Sequence, residues 1–234
     1  ASTLPALSAP SVAAPATLSV PTPARLAANW LTGQLEADLL PDLPQVTYST
    51  SVEAAIGLSA LGADYAGTVA DISTALEPHL TLYLTGGDNV ETYPLTVARA
   101  AHLARSAGAD PADFGGWDLI AELEGMRRPS GMLANHSVVF ATNTTAQAEG
   151  FAELTLAGSP NAASVEDFLL LQQCAAGYFR ANFPETGATP SDYSCETGLG
   201  VGGKTPNVPA TAQAILALVR SGDTSTATTQ AISD

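Results

Sequence analysis

Few residues in this chain can do chemistry. There are three histidines and two cysteines in 234 residues. Cys174 and Cys195 bracket the segment AAGYFRANFPETGATPSDYS, whose Gly, Pro, Ser and Thr content reads as a loop. Two cysteines flanking such an excursion, with none elsewhere, fit a structural disulfide in an oxidising compartment; the competing reading is a pair of unrelated buried thiols. A bridge there restricts the unfolded chain by about 3 kcal/mol. A closed zinc site needs four ligands, and no histidine lies near either cysteine in sequence. His136, between Asn135 and Ser137, reads as a solvated loop side chain. His102 sits beside Arg99 and Arg105 in an Ala-rich stretch and reads as a structural hydrogen-bonding group.

The carboxylate pairs Asp38 with Asp42 and Glu122 with Glu124 have a spacing that could serve acid–base chemistry. In a chain with 8 basic and 23 acidic residues, net charge −15, such pairs belong on a solvated face. Arg127-Arg128 reads as a cation pair at a helix end, where the dipole favours it. The run Gly198-Leu-Gly200-Val-Gly202-Gly203-Lys204-Thr205 has the composition of a phosphate loop, but its glycine spacing is wrong and no strand precedes it. The sequence contains no Gly-x-Ser-x-Gly elbow and no His-Glu-x-x-His helix.

The acidity argues against duplex nucleic acid or an anionic membrane as partner, because both require a basic face. Charged residues are 13% and hydrophobic residues 46%, a balance that folds. With aromatics at 6%, the core must come from Ala, Leu, Val and Ile. No apolar run reaches the roughly 18 residues of a membrane span. Residues 1–23 hold five prolines and no charge, and read as an extended leader suited to export. Residues 24–234 are expected to form one repeat domain, whose last residues stop where a helical pattern begins.

The elements that must position these residues repeat. Ser51 to Gly62, Leu95 to Gly108, Thr145 to Gly158 and Ala210 to Gly222 each join a polar or Pro-containing start to a small-residue middle and a closing glycine. The closing glycines stand 46, 50 and 64 residues apart, a period typical of repeat architectures. A second helical segment precedes each one: Ala24 to Ala37, Thr68 to Leu84, Trp117 to Met126 and Val165 to Cys174. In the second of these, Val69, Ile72, Leu76, Leu80 and Leu84 form an amphipathic stripe. Trp30 and Trp117 read as packing residues between hairpins. The fold expected is all-α, with stacked helical hairpins in a closed ring or an arc of one.

The run Gln173-x3-Gly177-x-Phe179 resembles the Gln/Trp-type repeat motif of the prenyltransferase and squalene-cyclase superfamily, and the hairpins look like its α/α-toroid units. The nearest likeness is to secreted bacterial proteins with prenyltransferase/squalene-oxidase-type repeats, over roughly residues 24 to 222. That resemblance implies an α/α toroid or partial toroid, secretion, and a Cys-bounded loop after the motif. Catalysis does not follow from it. The Asp-x-Asp-Asp run of squalene cyclases and the Asp-Asp-x-x-Asp cluster of ionising terpene synthases are both absent. Pro206-Asn207-Val208-Pro209 stands where secreted relatives often carry acids.

If the second helices line the centre, their N-termini face one mouth. That mouth would gather Tyr48, Glu53, Tyr93, Arg99, Asn143, Gln147, Asn207 and Gln213, with Tyr178 and Tyr193 from the Cys-bounded loop. The alternative is that these side chains cap helices and bond between units. The sequence-level expectation is a non-catalytic secreted or cell-surface protein that binds a protein partner or a small polar ligand, with no cofactor and no metal. The alternatives are a carrier of a small ligand such as a corrinoid, and a divergent terpene-cyclase or prenyltransferase-like enzyme.

Overall fold

A computed structural model describes residues 22–41, 44–87, 89–136, 143–183, 193–196 and 205–233. These residues form helices joined by turns, with isolated β-bridges but no strand among them. Most of the leader and most of the 198–205 glycine run lie outside the described residues.

The inner layer is built from α2 (Pro44–Ser59), α5 (Pro94–Ser106), α7 (Thr144–Leu156) and α9 (Val208–Ser221), packed side by side in that order. Alanines set the spacing: Ala55 of α2, Ala98 and Ala101 of α5, Ala148 and Ala152 of α7, and Ala214 and Ala217 of α9 are all buried. Short side chains at the contact let helix axes approach closely. Gly62, Gly108, Gly158 and Gly222 follow these four helices with φ of 96, 80, 69 and 70°. That left-handed geometry ends a helix most easily at glycine.

The outer layer carries the larger side chains. It comprises α3 (Ala66–Leu76), α4 (Leu80–Leu84), α6 (Leu119–Gly125), α8 (Ala162–Leu170) and α10 (Thr226–Ser233). α3 packs on α2 and α5, α6 on α5 and α7, α8 on α7, and α10 on α8 and α9. The stripe from Val69 to Leu84 is buried, but it is not one helix. A 3-10 turn at Glu77–His79 separates α3 from α4, because Pro78 has no N–H to donate. α1 (Thr22–Thr32) is tied to the turn before α3 by the Arg25–Asp64 ion pair and the Tyr65 hydroxyl, 3.1 Å from Asn29 Oδ1. Pro23, assigned to the leader from sequence, lies in this helix.

α7 is enclosed on all sides, so its polar residues need partners. Gln147 has three: its Nε2 donates to Gly131 O and Val165 O, each at 2.9 Å, and its Oε1 accepts from Leu133 N at 2.8 Å. It joins α7 to the 127–134 turn and to α8. Gly131 is where that turn presses on α8; a Cβ there would stand 1.9 Å from Ser164 O.

Cys174 and Cys195 are bonded, with a Cα–Cα distance of 5.1 Å, and both are buried. The bridge holds Tyr193 edge-on to Phe168 at 5.2 Å, and Phe183 meets the same ring at 5.0 Å. Arg180, 2% exposed, donates from Nε and Nη2 to Gln172 Oε1 at 3.0 and 2.8 Å, and also to Tyr193 O. No helix among the described residues is long and apolar enough to cross a membrane.

Candidate functional site

The four inner helices wall a hollow of about 630 Å³. α2 contributes Glu53, Ile56, Gly57 and Ser59, with Ala60 just beyond its end; α5 gives Arg99 and His102; α7 gives Glu149; α9 gives Gln213, Leu216, Val219 and Arg220. The hollow lies along the middle and C-terminal halves of these helices rather than at their N-termini. The N-terminal side chains are engaged otherwise. Asn143 Oδ1 accepts from Ala146 N at 2.9 Å and Asn207 Oδ1 from Ala210 N at 2.8 Å, so each caps a helix. Tyr93 is the N-cap residue of α5, whose first turn opens with Pro94.

Of the ten sequence candidates, the structure brings Glu53, Arg99 and Gln213 to this wall. Tyr48 is buried and stacks on His79, ring centroids 5.0 Å apart. Gln147 and Tyr193 are buried in the contacts described above. The Tyr178 carbonyl accepts from Cys174 N at 2.9 Å, closing the turn of the Gln173-x3-Gly177-x-Phe179 run. In that turn Gly177 has φ 86°, and Gln173 Nε2 donates to Gly177 O at 3.2 Å and Ala231 O at 3.0 Å, docking α10.

A charge cluster adjoins the hollow, and Glu53, Arg99, Glu149 and Arg220 of it line the wall. Glu153 has no exposure, and it is held by Arg105 at 3.2 Å and by Arg220. Arg220 also donates to Glu149 Oε2 at 2.7 Å. Arg99 pairs with Glu53 at 2.5 Å. Three of the eight basic residues of a strongly acidic chain thus gather here. His102 Nδ1 is buried without a hydrogen-bond partner, 3.9 Å from Glu149 Oε2. Burial, followed by the fields of Arg220, Arg105 and Arg99, pushes His102 down to about 4, so its ring is neutral at pH 7. Burial likewise pushes the Glu149 carboxyl up, with Arg220 and Arg99 acting against it. It also raises the Tyr83 phenol, against the pull of Arg99.

The sequence reading missed Glu149, Glu153 and Arg220. A signal was present: Arg99, His102 and Arg105 recur every three residues, and Glu149 and Glu153 are four apart, so each set shares a helix face. Cys174, Cys195 and Glu196 also come together, but the two sulfurs are bonded to each other and offer no thiolate. On the outer layer, a depression of about 440 Å³ is lined by Trp117, Glu122 and His136. His136 Nε2 lies 3.0 Å from Glu122 Oε1 there.

No family model, curated protein or solved structure matches the chain.

Proposed function

We propose that this chain is a non-catalytic binding protein of the extracytoplasmic space or cell surface, and that its inner hollow receives the ligand. In this reading the helix pairs are units of an α/α toroid or partial toroid, as the Gln173-x3-Gly177-x-Phe179 resemblance implies. The observation that carries it is the hollow's mixed lining. One part is apolar, with Ile56, Leu216 and Val219; the other holds Glu53, Arg99, His102 and Gln213. Small-molecule sites combine a mostly apolar wall with a few placed polar groups, at roughly 300–1,000 Å³. The cluster's carboxylates are engaged by arginines. The disulfide supports an oxidising compartment.

The test is native purification followed by mass spectrometry of bound species, together with incubation with polyprenyl diphosphates or squalene, with and without magnesium. A retained small molecule or partner and unchanged isoprenoids are expected. Turnover of either isoprenoid would replace this reading with an enzymatic one.

A further inference from the structure

The arginines around the hollow are not equivalent. Arg220 holds Glu149 and Glu153, and Arg105 holds Glu153, which is sealed from solvent. Arg99 is 19% exposed, but its partner Glu53 is 55% exposed. A solvated ion pair contributes little, so Glu53 can yield its place to another anion at small cost. Beside Arg99 lies His102, whose Nδ1 lacks a hydrogen-bond partner. The groups facing that imidazole are Arg99 and Arg105 from its own helix, Glu149 from α7 and Arg220 from α9, with Glu53 on α2 and the Tyr83 phenol on α4 around Arg99. Arginines dominate, and their field opposes a cation at this spot. Leu216 and Val219 of α9 are 61% and 60% exposed and line the same hollow with Ile56.

We propose that the hollow takes a small amphiphilic carboxylate, its head group replacing Glu53 at Arg99 and its apolar tail lying along Ile56, Leu216 and Val219. This rests on the hollow being the ligand site, and it narrows the ligand. A single carboxylate matches a single exchangeable arginine and can take it in bidentate geometry. A diphosphate carries more charge than Arg99 alone meets, and Arg105 and Arg220 are already committed.

The experiment is calorimetric titration of the full chain at pH 7 with decanoate, decanol and geranyl diphosphate. Decanoate binds most tightly, and Arg99→Gln weakens it about tenfold or more, the usual effect of losing a charge-assisted bond. Leu216→Gln weakens decanoate and decanol alike. Glu53→Gln, confirmed to unfold at the same temperature as the wild type, tightens decanoate by roughly two- to five-fold, because the competing carboxylate is gone. Decanol binding as well as decanoate, geranyl diphosphate binding more tightly, Glu53→Gln weakening decanoate, or no binding by any of the three overturns the carboxylate assignment. The hollow itself is judged separately. Loss of the natively retained species on filling the cavity with Gly57→Phe upholds the ligand site whatever decanoate does.

Discussion

Arg220, in the last turn of α9, closes on Glu153, a wholly buried carboxylate near the end of α7. The same guanidinium reaches Glu149 one turn earlier, while Arg105 of α5 holds Glu153 from the other side. Three adjacent inner helices are therefore clasped through one buried acid, next to the Glu149 and Arg220 that line the hollow.

Removing one partner of a buried pair leaves an uncompensated charge, which costs more than the pair itself contributes. Arg220→Met is expected to lower stability by about 3 kcal/mol, read from the urea midpoint. Combining it with Glu153→Gln should recover part of that loss. A loss under about 1 kcal/mol, the level of a surface ion pair, would show that the clasp is not structural.

Gln147→Leu keeps the volume of the side chain but removes the partner of Leu133 N and of Gly131 O, and the second bond of Val165 O, which still accepts within α8. At about 1–3 kcal/mol for each unsatisfied group, destabilisation of at least about 2 kcal/mol is expected. Amide exchange at Leu133 should accelerate with it. Unchanged protection at Leu133 would contradict this role.

The Cys174–Cys195 bridge spans 21 residues of sequence. The Cys174→Ser/Cys195→Ser double variant should lose about 3 kcal/mol by the loop-entropy relation. Because both half-cystines are buried, thiol labelling after mild reductant should track unfolding. Rapid labelling of the folded protein would contradict the buried placement.

His102 gives a signed pH effect. It is pushed down to about 4 in the folded state from its ordinary 6.5, so between these values the unfolded chain binds the extra proton. His102 therefore makes stability fall as pH drops from about 6.5 towards 4. Glu149, whose carboxyl is pushed up, acts with the opposite sign: it makes stability fall as pH rises from its ordinary 4.5 through its raised value. His102→Gln should flatten the loss on the acid side, measured as urea midpoints against pH. An equally steep loss in the variant would assign it to other groups.

Much of the helical layout was legible in the sequence. Small residues at helical spacing followed by glycine mark α2, α5, α7 and α9, because close packing and a left-handed stop demand those residue types. The 69–84 stripe predicts burial correctly but hides the break at Pro78, since apolar spacing does not report a missing donor. The site was less legible. Asn143 and Asn207 read equally well as ligand groups or caps until their Oδ1 partners are known. The Arg220–Glu153 pairing joins residues 67 apart in sequence, and no local pattern encodes such a distance.

The most direct test of the hollow is to fill it. Gly57 lies on its α2 wall, and a Cβ there would meet nothing within 4 Å. Gly57→Phe should therefore leave thermal unfolding unchanged or slightly raised, since it replaces glycine inside a helix. Natively purified wild-type and Gly57→Phe proteins would be compared by native mass spectrometry. A bound species on the wild type that is lost from an equally stable variant is the expected result. An undiminished complement on the filled variant would place binding elsewhere and contradict the account.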